Sequence, residues 1–176
     1  MEQDEGRFAA SVLPHLDAAY NLARWLVRDA HDAQDVVQDA LVRALRHFDG
    51  FRGGDPRPWL LAIVRNAAFA WLGARRPGEV EVPDDELDAA LAAGASPCDP
   101  ESLAIRRAER REIDAAIAAL PIAFREAVVL RELEELSYRD IARITGVPVG
   151  TVMSRLSRGR HLLAAALRPD ATRSLA

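Results

Sequence analysis

Apolar residues recur at three- and four-residue steps along most of the chain, the period of a helix with one buried face. Leu13, Leu16, Tyr20, Ala23 and Val27 predict a helix from about Arg7 to Arg28, with Pro14 placed to break or kink it. Val37, Leu41, Ala44, Leu45 and Phe48 predict a second, from an N-cap at Asp32 to about Phe48. Asp35, Gln38, Asp39, Arg43 and Arg46 fall away from that stripe. The glycine- and proline-rich DGFRGGDPRP then interrupts the pattern. A third helix over about Pro58–Ala74 carries Trp59, Ile63, Ala67 and Trp71.

Periodicity lapses over 77–100, PGEVEVPDDELDAALAAGASPCDP, where there are four prolines and no basic residue. This stretch reads as a flexible acidic linker, with DDELDAALAA able to form a short helix. Beyond it the pattern predicts helices at about 101–119, 121–134, 137–145 and 149–167. Pro121 opens one of them, Ser137 is the N-cap of YRDIARIT, and Gly146 stands at its C-cap. The predicted fold is all-α, with two small helical domains at 1–76 and 101–176.

Charge sharpens this division. The 176 residues carry a formal net charge of -4, yet residues 77–105 hold eight acids and no base. Residues 137–176 hold two acids and seven arginines, a local charge of +5. All basic residues are arginine. The lone cysteine, Cys98, excludes an internal disulfide and fits a reducing compartment. It reads as an inert linker thiol, a redox sensor being the alternative. MEQDEGRFAA lacks the apolar core of a secretory signal, and no apolar run reaches the length of a membrane span. A soluble cytoplasmic protein is expected. His15, His31, His47 and His161 show no ligand spacing, and no carboxylate is paired for catalysis. No metal, no cofactor and no enzymatic activity are therefore expected.

Helix, then Gly146-Val147-Pro148, then helix is the spacing of a helix-turn-helix. At about 100° per residue, with Ser154 as origin, Val152, Leu156, Gly159 and Leu163 cluster at about 140–200°. Thr151, Ser154, Arg155 and Arg158 cluster at about 0–100°. Arg160 lies near 240°, toward a phosphate or solvent. Hydroxyls and guanidiniums on one face suit a DNA major groove, where arginine pairs with guanine and Ser or Thr reaches phosphates. The plainer reading is a solvated basic face, but turn, amphipathic split and regional charge agree on DNA.

LRELEELSYRDIARITGVPVGTVMSRLSRGR resembles the fourth conserved region of bacterial sigma factors. DAQDVVQDALVRALRHFDGF followed by PRPWLLAIVRNAAFAWLGARR resembles their second region. Two blocks in this order, joined by a short linker, resemble the extracytoplasmic-function (ECF) group. The resemblance implies a transcription initiation factor that binds RNA polymerase core through its clamp helices and flap. It implies opening of the minus-ten element by residues 51–76 and reading of the minus-thirty-five element by residues 149–167. It also implies control by an anti-sigma factor. Asp35, Gln38, Asp39 and Arg43 match the core-binding helix, and Asn66 matches the pocket for a flipped minus-ten base. Thr151, Ser154, Arg155 and Arg158 match the minus-thirty-five helix, where Met153 departs from an arginine that many members carry.

Phe51 and Trp59 suit either stacking on single-stranded bases or core packing, and Trp71 suits the core. Asp35 and Asp39, without the resemblance, suit a solvated face equally well. Two other functions compete. A sigma-like decoy that binds an anti-sigma factor without touching DNA would have little need of the arginine face. A dimeric helix-turn-helix repressor would leave DVVQDALVRAL and PWLLAIVRN without a purpose.

Overall fold

Several helix boundaries follow from local signals. The computed structural model describes residues 2–80 and 102–167. Most of the expected linker, its short helix and Cys98 lie outside the described residues. Helix α1 (Glu2–Val12) is separated from α2 (Leu16–Val27) by a 3-10 turn at Leu13–His15 around Pro14, so the proline breaks the first predicted helix in two. Helix α3 (Ala30–His47) starts three residues earlier than the sequence suggests. Its cap is Asp29 rather than Asp32, with the carboxylate accepting from the N–H groups of His31 at 2.8 Å and Asp32 at 3.0 Å. Those bonds hold the Asp29 carboxyl below its ordinary pKa. Helix α4 (Pro56–Arg75) likewise begins at Pro56, capped by Asp55.

The second set comprises α5 (Ser102–Ala119), α6 (Ile122–Val128), α7 (Tyr138–Thr145) and α8 (Val149–Ala166). A π-helical turn at Val129–Leu133 continues α6, so the predicted helix over 121–134 forms but changes its hydrogen-bond register part-way. Ser137 caps α7 as predicted, accepting from the Asp140 N–H at 3.1 Å. Gly146 ends α7 with φ of 72°, a conformation that favours glycine, and Pro148 leads into α8.

Alpha helices α2, α3 and α4 pack together through Leu22, Leu26, Val36, Ala40, Leu60, Leu61 and Val64, all buried. Within α3 the buried stripe is Ala33, Val36, Val37, Ala40 and Ala44, one step around from the predicted one. Leu45, expected inside, is half exposed, whereas Phe48 is buried. In the second set α6, α7 and α8 enclose Phe124, Val128, Ile141, Val152 and Leu156. Gly159 lets α8 close on α6: a Cβ there would stand 2.8 Å from Val128 Cγ2. The two sets do not stand apart. Helix α4 lies against α7 and α2 against α6, and the apolar cores form one continuous cluster.

Candidate nucleic-acid interface

On α8 the expected amphipathic split holds. Val152 and Leu156 are each 1% exposed, while Ser154 and Arg158 face solvent and Thr151 is half-buried. The Ser154 hydroxyl donates to the Thr151 carbonyl at 2.9 Å, so its hydroxyl is held against the helix. Met153, about 100° round from Ser154 on the side away from Arg155, is more than half exposed. Arg160 is exposed, and its guanidinium donates to Glu132 Oε1 at 2.9 and 2.5 Å, tying α8 to the π turn at the surface. Arg155, the member of the polar set nearest the apolar face, is half-buried and lines a cavity against α4.

The aromatic candidates gather where the DGFRGGDPRP loop meets α4. Phe51 and Trp59 have ring centroids 5.1 Å apart, and both contact Phe48, at 5.9 and 6.1 Å. Phe8 closes the cluster edge-on to Phe48 at 5.3 Å. Phe48 is buried, whereas Phe51 and Trp59 keep part of their surface in solvent. The rings thus both pack and remain accessible. Asn66 lies seven residues after Trp59, about 20° from it around the helix and about 10 Å further along. Asn66 is exposed, so Trp59 and Asn66 lie along one side of α4 with no helix of the second set between them and solvent at Asn66. Trp71 packs against the core, with the Arg75 guanidinium 4.8 Å from its ring centre.

Asp35, Gln38, Asp39 and Arg43 all lie exposed on α3. Their spacing of three and four residues places them on one face, together with Val42 and Leu45, which are 49% and 50% exposed. Asp39 and Arg43 form an i,i+4 ion pair at 2.7 Å.

The sequence reading did not single out the charged groups between the two sets of helices. Glu134, buried just after the π turn, accepts from Arg57 at 2.5 Å through one oxygen and from Asn21 at 2.5 Å through the other. Glu126 on α6, 1% exposed, accepts from Arg65 Nε at 2.6 Å. Arg65 is itself set over the Phe69 ring at 4.1 Å. Burial pushes the Glu126 carboxyl above its ordinary pKa, while the charge and hydrogen bond of Arg65 and the charge of Arg155 pull the other way. One signal was present in the sequence: Arg125 and Glu126 interrupt the apolar run in IAFREAVVL. Charges inside a buried segment require partners. Arg125 finds one in the Ala118 carbonyl at 2.7 Å, and Glu126 finds Arg65.

Among the described residues no group of three or more His, Cys, Asp or Glu side chains could hold a metal ion, and no helix is long and apolar enough to cross a membrane.

Comparison with known proteins gives the family. Residues 12–76 match the family Sigma-70 region 2, and residues 110–163 match Sigma-70, region 4. The chain is 37% identical to the RNA polymerase sigma-H factor of Pseudomonas aeruginosa, over 94% of this chain and 89% of that protein. It is 38% identical to the ECF RNA polymerase sigma-E factor of Escherichia coli, over 78% of this chain and 75% of that one. The structure of the sigma factor RpoE in complex with the anti-sigma factor NepR from Bartonella quintana superposes with a TM-score of 0.70 at 29% identity, covering 93% of this chain and 98% of that one. The chain belongs to the ECF group of RNA polymerase sigma factors.

Proposed function

We infer that this protein is a transcription initiation factor that joins RNA polymerase core in the cytoplasm and directs it to a specific set of promoters. The observation that carries this reading is the two-sided build of α8 in a chain that also has the region 2 helices. Thr151, Ser154 and Arg158 form a hydroxyl and guanidinium face backed by buried Val152, Leu156 and Gly159. Seated in the major groove, such a helix offers Arg158 to a guanine edge and Thr151 and Ser154 to phosphate or base edges. Its uncapped N-terminus, which begins at Val149, adds favourable dipole charge toward phosphate. Arg155 joins this set once it leaves the cavity at α4.

The region around α4 serves the second element. Strand opening requires that an unstacked base be captured, which costs a few kcal/mol per base. Phe51 and Trp59 supply accessible ring faces, and Asn66 supplies both donor and acceptor for a base edge. Asp35, Gln38, Asp39 and Arg43, with Val42 and Leu45, form the face that meets the clamp helices of the core enzyme, while the 101–176 domain meets the flap. The domains extend over 1–76 and 101–176, with 77–100 joining them. An anti-sigma factor holds the protein inactive, a reading supported by its similarity to a sigma factor solved with such a partner. No step in this scheme asks for catalysis by the chain itself.

Transcription in vitro with purified core on a library of promoter templates tests the whole reading. Initiation from a defined subset of templates, dependent on this protein, is the expected result. Absence of initiation from every template, together with failure to bind core, would remove it.

A further inference from the structure

Two exposed apolar side chains sit side by side on α8. Met153 is 53% exposed and Val149 38%. They are four residues apart, so one follows the other along the helix at an offset of about 40°. The core side of α8 is already filled by Val152, Leu156 and Gly159. From Val149 through Met153 and Gly150 to Ser154, the surface passes from apolar at the edge to polar at the centre over about 140°. Arg160 shares the sector of Met153, but it lies about 10 Å further along and donates to Glu132. The first two turns of this sector thus carry no charge. Gly150 lies between the apolar pair and Ser154. Glycine weakens a helix relative to alanine, and no described atom lies within 4 Å of the point its Cβ would take. The fold leaves room for a side chain there, so the glycine fits a close approach from outside the chain.

We propose that Met153, backed by Val149, reads the C5-methyl group of a thymine in the minus-thirty-five element and makes thymine a requirement at that position. The proposal rests on the DNA-reading role inferred for α8. In the major groove thymine alone presents an apolar group; the other base edges offer hydrogen-bond donors and acceptors. A thioether is at most a weak acceptor and carries no charge. Met153 therefore cannot pair with guanine as an arginine does, and it cannot neutralise a phosphate. It can remove its own exposed surface and a methyl group from water together. Its unbranched side chain adapts to the position of that methyl, and the stiffer Val149 backs it one turn earlier.

Position along α8 agrees with this role. The first turns of a recognition helix are the part that meets base edges. Val149 and Met153 are the first and fifth residues of α8. Met153 and Arg158 are separated by about 7.5 Å along the helix and about 140° around it, so they reach different base pairs. The +5 charge of residues 137–176 attracts any duplex through its phosphates, without regard to sequence. Discrimination has to come from contacts that differ between bases, and an uncharged apolar contact is one that phosphates cannot satisfy.

Removal of single methyl groups from the DNA tests this. Holoenzyme reconstituted from purified core and the full chain first selects duplexes from a library randomised upstream of the minus-ten element. The selected duplex is then made with deoxyuridine in place of each minus-thirty-five thymine in turn, on either strand, which deletes the methyl and leaves base pairing intact. Binding is measured for wild type and for Met153→Ala, a change at an exposed position that should leave folding intact. At one position uracil is expected to weaken the wild type about fourfold, the worth of one buried methyl group. Met153→Ala should bind the thymine and uracil duplexes equally. A repeat selection with Met153→Arg should lose thymine at that position. Equal binding of every uracil duplex by the wild type overturns the methyl contact, as does the same uracil penalty in Met153→Ala. Weaker core binding by Met153→Ala, with no response to uracil, gives the apolar pair to the polymerase and also overturns it. A first selection that enriches no sequence at all removes the promoter-directing reading itself, so the two failures are distinguishable.

Discussion

Helices α4 and α8 both carry candidate DNA-contact residues, but they divide their surfaces differently. Helix α4 separates its tasks by angle and by height: Leu60, Leu61 and Val64 fill the core, Arg57 in the first turn and Arg65 to one side meet the second set, and Trp59 with Asn66 lie on another side. Helix α8 has only two sides, and Arg155 falls on the border between them. A border residue is claimed by whichever neighbour is present, here α4 and Glu126. A central residue such as Arg158 is exposed. Position on the helix thus decides which side chains are shared with a neighbouring helix and which are not.

Changes at the back of α8 should have the largest effect. Leu156, 1% exposed, fills the space between α8 and its neighbours. Leu156→Ala is expected to destabilise the second set by about 2–5 kcal/mol, through lost burial and the cavity left behind. Chemical denaturation monitored by circular dichroism measures this. A loss below about 1 kcal/mol would show that α8 is held mainly by its polar side, against the division drawn here. On the front of the same helix, Arg158→Ala should leave stability nearly unchanged and weaken promoter binding by about 1–3 kcal/mol, with a loss that depends on the base presented. Equal loss on every duplex sequence would make Arg158 a phosphate contact.

Much of this was legible before the structure. The α8 wheel placed Val152, Leu156 and Gly159 inside and Ser154 and Arg158 outside, because large apolar and charged residues alternate there with little ambiguity. Ser137 and Gly146 marked the ends of α7 for the same reason: their chemistry fits one position in a helix. Helix α3 was read one step out of phase. Its core contacts run through Ala33, Ala40 and Ala44, and in an alanine-rich chain an alanine gives little sign of facing inward. Leu41 and Leu45 carry the stronger apolar signal, and Leu45 proves half exposed beside Asp39 and Arg43. The start of α3 is ambiguous in the sequence because Asp29 and Asp32 are both good caps, and only backbone geometry chooses between them. The Glu126–Arg65 and Glu134–Arg57 pairs were beyond reach, since each joins residues more than sixty positions apart.

The open side of α4 allows a smaller, more selective perturbation. Asn66→Ala removes one side chain that is exposed in the free protein, so folding should be unaffected. A neutral hydrogen bond to a captured base contributes about 0.5–1.5 kcal/mol, and the loss should appear in strand opening rather than in duplex binding. Permanganate footprinting of the minus-ten element, run beside a duplex-binding assay, separates the two. A normal footprint would mean that Asn66 only decorates the helix, and the accessible rings of Phe51 and Trp59 would then have to account for base capture.

The smallest effect on the fold belongs to α3, and its smallness is what makes it useful. Asp39 and Arg43 are about half exposed, and an ion pair in that setting stabilises the helix by about 0.3–0.5 kcal/mol. Breaking it with Asp39→Arg also places two like charges four residues apart, a penalty of similar size. The melting temperature should therefore move by no more than a few degrees. If the stripe of Asp35, Gln38, Asp39 and Arg43 meets polymerase, the same change introduces a repelling charge into a docking face and should sharply reduce co-purification with core. A large loss of core binding with a native melting curve assigns the effect to the partner. Unchanged co-purification would leave the stripe a solvated surface, and the exposed Val42 and Leu45 beside it would have to find another occupant.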